Sequence, residues 1–201
     1  MIILYDYKLC FLEKPKCGST SLRHMLIHNK IRFGKKFIGY KSLHDTKFDY
    51  YHSHYKHVNL SGAIVHLQKI NHNIQDYTFI STLRNPLKLI KSWYNFDINR
   101  QKGKWHNKYF QFQNLEGMLK TPHYFQFTDN IFFHNHNNIN MLFFDLDNIK
   151  ELEIFLFKNY NLPVKYPHKN HNKNNTKDID IISLKQQIEK DHHLYNSLYV
   201  K

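Results

Sequence analysis

Three short stretches of this chain are almost wholly apolar or β-branched and stop at charged or turn-forming residues. They predict β-strands over 8–12, 77–83 and 141–144. Between and after them the apolar residues recur at three- and four-residue steps, the period of a helix with one buried face. Leu60, Ala63, Ile64 and Leu67 mark one such helix, and Leu87, Ile90 and Tyr94 mark a second. Leu152, Phe155 and Leu156 lie on a third, over 149–160; Ile181, Leu184, Ile188, Tyr195 and Leu198 form the stripe of a last one, over 180–199. Strands that alternate with helices predict an α/β fold: a central, mainly parallel sheet with helices on both faces, in a single domain over 1–201.

The polar punctuation between these elements is where chemistry is expected, because open α/β sheets bind ligands at the carboxyl ends of their strands. The first strand runs into Glu13-Lys14-Pro15-Lys16-Cys17-Gly18-Ser19-Thr20-Ser21, a compact turn that opens a helix. Such a turn gathers backbone N–H groups, hydroxyls and one lysine around a helix N-terminus, where the macrodipole favours an anion. A glycine at position 18 lets the backbone approach a phosphate closely. The spacing is not that of a Walker A loop, since the upstream glycine is missing and the lysine precedes the second half of the turn. The second strand ends in Arg84-Asn85-Pro86, with proline suited to the first position of the next helix. Ser92 then lies about two turns along that helix, leaning back toward the arginine.

These two segments, in this order, resemble the donor-binding motifs of the sulfotransferases, and the rest of the chain fits that family along its length. The resemblance implies a P-loop-like sulfotransferase domain that binds 3′-phosphoadenosine 5′-phosphosulfate (PAPS). It implies that Lys16, Cys17, Gly18, Ser19, Thr20 and Ser21 grip the 5′-phosphate side, with Lys16 also stabilising the departing oxygen, and that Arg84 and Ser92 bind the 3′-phosphate. The tract Pro167-His168-Lys169-Asn170-His171 resembles the loop that closes over the donor in carbohydrate sulfotransferases, which puts Lys169 and Asn170 among the donor contacts. Tyr51-His52-Ser53-His54 resembles the Tyr-His-Gly-His segment of glycan 2-O-sulfotransferases, with serine in place of the glycine. It makes His54, with His52, the expected catalytic base; His57 competes, and Asp45 or Asp49 would replace a glutamate base. The expected reaction carries sulfuryl from PAPS to an acceptor hydroxyl, as on a glycan, and releases adenosine 3′,5′-bisphosphate, with no metal. Acceptor contacts are expected within 99–138.

Composition adds looser bounds. The formal charge of +13, from 29 Lys and Arg against 16 Asp and Glu, implies an anionic partner. Its spread along the chain, without a recognition helix or RNA-binding signature, argues against specific nucleic-acid binding. Histidines are numerous, and His52, His54 and His57, or His134 and His136, have ligand-like spacing, yet no Cys or Glu completes a zinc set. Two cysteines make no disulfide framework, and neither a leader segment nor a run near the roughly 18 apolar residues of a membrane span is visible. Those features point to a cytoplasmic protein, unlike the anchored Golgi members of the family. Two rival readings remain open. Cys17 and Arg23 have the spacing of a cysteine-based phosphatase, although His24 stands where a hydroxyl is usual; and a basic chain of this kind could be a non-catalytic nucleotide- or RNA-binding module.

Overall fold

The computed structural model describes residues 1–28, 57–101, 112, 114–134, 136–167 and 181–198. Its strands are β1 (Ile2–Leu4), β2 (Leu9–Leu12), β3 (Thr78–Leu83) and β4 (Met141–Asp145). They form one four-stranded sheet in the order β1-β2-β3-β4. β2, β3 and β4 run parallel, with Cys10 opposite Phe79 and Phe79 opposite Met141, while β1 pairs antiparallel to β2. The expected sheet is therefore present, with one short antiparallel strand added at its edge. The helices are α1 (Ser19–His28), α2 (Leu60–Lys69), α3 (Pro86–Gln101), α4 (Leu115–Leu119), α5 (Pro122–Phe125), α6 (Asp129–Phe132), α7 (Lys150–Tyr160), α8 (Lys185–Asp191) and α9 (Leu194–Ser197).

The apolar strands are explained by burial on both faces, the usual condition of parallel sheets. Successive side chains alternate between faces. Leu9, Phe11 and Ile80 meet Leu22, Met25 and Leu26 of α1 and Leu152 and Leu156 of α7. Cys10, Leu12 and Phe79 meet Leu60, Ala63 and Leu67 of α2, together with Phe132, Phe133 and Leu194. A third cluster joins Ile90 and Trp93 of α3 to α4, to Tyr124 and to Ile181 and Ile188. No helix among the described residues is long and apolar enough to cross a membrane.

Two expected elements differ. The buried apolar residues of α3 are Leu89, Ile90 and Trp93, with Leu87 and Tyr94 half-buried at the margin, and the helix packs against Tyr124 and Ile188. The single helix expected over 180–199 is instead a 3₁₀ turn (Ile182–Leu184) followed by α8 and α9, broken at His192-His193. The break has a long-range cause: the Leu194 N–H donates to the Asp129 carboxylate at 2.9 Å.

Candidate functional site

The parallel strands place the turn after β2 and the turn after β3 at the same edge of the sheet. Residues 13–18 fold tightly: Lys14 N–H donates to Leu12 O at 3.2 Å, and Cys17 N–H donates to Lys14 O at 3.3 Å. Lys16 and Gly18 both have left-handed backbone, at φ 63° and 80°. Left-handed backbone is disfavoured for a lysine, so the turn needs holding from outside. Three side chains supply that. Arg84 Nη1 donates to Lys16 O at 3.3 Å, Thr82 Oγ1 to Cys17 O at 2.5 Å and Tyr166 Oη to Gly18 O at 2.7 Å.

In a trans peptide the N–H points opposite to the carbonyl it shares a plane with. Holding the Cys17 and Gly18 carbonyls against Thr82 and Tyr166 therefore turns the Gly18 and Ser19 N–H groups the other way. That is the direction in which the first amides of α1 lack helical partners and its dipole is positive. An arrangement of this kind suits an anion.

Gly18 has a second reason to be glycine beside the one expected. A Cβ there would lie 2.2 Å from Tyr166 Oη and 2.6 Å from Leu146 Cδ1, so protein atoms, not only an approaching phosphate, exclude a side chain. Ser21 also departs from its expected role. It is buried, and its hydroxyl bonds to that of Tyr166, whose own pKa is pushed up by burial. Thr20 is half-buried on the same turn, and Ser19 is nearly buried.

The Lys16 ammonium lies over the Phe96 ring, 4.2 Å from its centre. Phe96 is one helical turn beyond Ser92, so the two share the face of α3 that meets the turn. Arg84 leaves the tip of β3 and bonds back to the turn, and its Nε is buried with no hydrogen-bond partner among the described residues. Asn85 caps α3 by accepting from the Leu87 and Lys88 N–H groups, and Pro86 begins that helix. The structure thus brings Lys16, Cys17, Gly18, Ser19 and Thr20 together with Arg84, and turns Ser92 to the same side.

This geometry does not favour the phosphatase reading. Burial pushes the Cys17 thiol up to about 11, outweighing the nearby Lys14 and Arg84 charges, whereas a nucleophilic thiolate needs a depressed value and access. Arg23 is engaged elsewhere: it forms a two-pronged pair with the buried carboxylate of Glu13, which also accepts from the Met1 amino group at 2.8 Å.

Of the candidate bases, His52 and His54 lie outside the described residues, as do Lys169 and Asn170. His57 is described and sits against the start of the turn, its Nδ1 2.7 Å from Glu13 O. A carbonyl only accepts, so that bond puts the proton on Nδ1 and the lone pair on Nε2. No group of three or more His, Cys, Asp or Glu that could hold a metal occurs among the described residues.

One part of the site was not legible in the sequence. Lys14 is buried. Its ammonium pairs with the Asp129 carboxylate and lies 3.2 Å from His192 Nδ1. The partners are 115 and 178 residues away, so no local pattern carries the signal.

Comparison with protein-family models, curated proteins and solved structures finds no match.

Proposed function

We propose that this chain is a PAPS-dependent sulfotransferase of the sulfotransferase fold, acting on an acceptor hydroxyl such as that of a glycan. The observation that supports it most is the Arg84 bond to Lys16 O, which joins the two segments whose motifs resemble the 5′- and 3′-phosphate sites. A helix N-terminus suits one phosphate, and an arginine whose buried Nε has no hydrogen-bond partner among the described residues suits another. Two buried, unpaired cysteines fit the reducing compartment in which the reading places the protein.

In this reading Lys16 leaves the Phe96 ring for the oxygen that bridges phosphorus and sulfur. The acceptor oxygen attacks sulfur in line, an O–S bond forms, and the bond from sulfur to the bridging oxygen breaks. The acceptor proton passes to a histidine, and charge grows on the departing phosphate oxygen beside Lys16. Among the described residues this reading assigns the proton to His57, whose Nδ1 is taken up by Glu13 O. Incubating the protein with PAPS labelled in sulfur and a panel of glycans and simple alcohols tests the reaction. His57→Ala is expected to lower turnover about a hundredfold or more with little change in donor affinity. Full turnover in that variant would move the base to His54 or His52, and no transfer to any acceptor by a protein that binds donor would favour the binding-module reading.

A further inference from the structure

The Lys14–Asp129–His192 cluster is buried, so it touches no ligand, yet it is built directly into the turn. Lys14 O accepts the Cys17 N–H that closes the turn, and its ammonium is anchored to Asp129 at the start of α6. Asp129 Oδ2 accepts the Leu194 N–H at 2.9 Å, and His192 stands in the break between α8 and α9. His192 Nδ1 stands between the two opposite charges, 3.2 Å from the Lys14 ammonium and 3.5 Å from Asp129 Oδ1, and its Nε2 is a buried atom with no hydrogen-bond partner among the described residues. Tyr124 packs edge-on to His192 and donates to Asp191 at 2.8 Å, which extends the connection into α5 and α8.

Burying three ionisable groups is costly, and an apolar replacement of equal volume is often at least as stable. Lys16, two residues on, holds disfavoured left-handed backbone, and the turn's amides must keep one orientation to bind an anion.

We propose that Lys14, Asp129 and His192 are positioning residues that tie the conformation of the phosphate-binding turn to the α8–α9 break, so that donor affinity depends on groups that never touch donor. This rests on the donor-site reading above.

The test is calorimetric binding of adenosine 3′,5′-bisphosphate to the full chain and to Lys14→Met/Asp129→Leu, which removes both opposite charges together. The expected result is a cooperative unfolding transition near that of the wild type with bisphosphate affinity lower by about tenfold or more. Affinity equal to the wild type in the folded double variant would overturn the proposal and leave the donor site standing. Wild-type protein that binds no bisphosphate would overturn the donor site itself, and this proposal with it. Should the double variant fail to fold, hydrogen exchange on the wild type decides: linkage requires the amides of Asp129, His192 and Leu194 to gain protection when the bisphosphate binds, and unchanged protection there overturns the proposal.

Discussion

Replacing Gly18 by alanine isolates the reason for that glycine. The new Cβ would stand 2.2 Å from Tyr166 Oη and 2.6 Å from Leu146 Cδ1, in a backbone held at φ 80°. Left-handed backbone costs a non-glycine residue about 1–2 kcal/mol. Tyr166 must also move off, losing its hydrogen bonds to Gly18 O and Ser21, at about 0.5–1 kcal/mol each. The expected loss is about 2–4 kcal/mol, read as a lower urea midpoint at unchanged slope and without any ligand present. Tyr166→Phe alone should cost about 1–2 kcal/mol, the two lost hydrogen bonds. In the double variant the clash with the hydroxyl is gone and its bonds are lost only once, so the combined cost should fall short of the sum by about 1–2 kcal/mol. A Gly18→Ala cost under about 1 kcal/mol, or strict additivity, would refute the steric argument and return the glycine to a purely ligand-facing role.

Other outcomes follow from the buried groups. Burial pushes Cys10 up to about 12 and Cys17 up to about 11, so neither thiol should be alkylated by iodoacetamide in the native protein at pH 8; rapid modification of Cys17 would revive the phosphatase reading. Burial, then the Lys14 charge, push His192 below its ordinary 6.5. For Asp129, burial alone would raise the value, but Lys14 and His192 outweigh it and hold the carboxyl below its ordinary 3.8. Both groups therefore contribute stability that is present above those ordinary values and lost as pH falls, His192 first, below 6.5. Urea midpoints should drop more between pH 7 and 5 in the wild type than in His192→Gln, and equal drops would remove His192 from the account.

Local pattern was enough for the three parallel strands, because each is an apolar run cut off by a charged or turn-forming residue. It was also enough for α1, α2 and α7, and for the start of α3, where Asn85 and Pro86 carry the cap chemistry themselves. β1 was missed because three residues, Ile2 to Leu4, are too few to display a period. The break at His192 was missed because its cause, Asp129, comes from another part of the chain. The same holds for the site. Lys16, Gly18 and Arg84 could be singled out from spacing, but their holders could not: Tyr166 reaches Gly18 across 148 residues, and Thr82 reaches Cys17 across 65. The Lys14 ammonium meets Asp129, His192 and the Phe133 ring, all distant in sequence, and nothing next to it in sequence indicates which way its side chain turns.

The central claim is that two turns at one sheet edge clasp the two phosphate ends of one nucleotide, and it is tested most directly by calorimetric titration of adenosine 3′,5′-bisphosphate alongside adenosine 5′-monophosphate. The account predicts that the wild type binds the bisphosphate more tightly by about tenfold or more, and that Arg84→Ala abolishes this preference while still binding the monophosphate. Equal affinities for the two nucleotides in the wild type, or a preference that survives in Arg84→Ala, would contradict it.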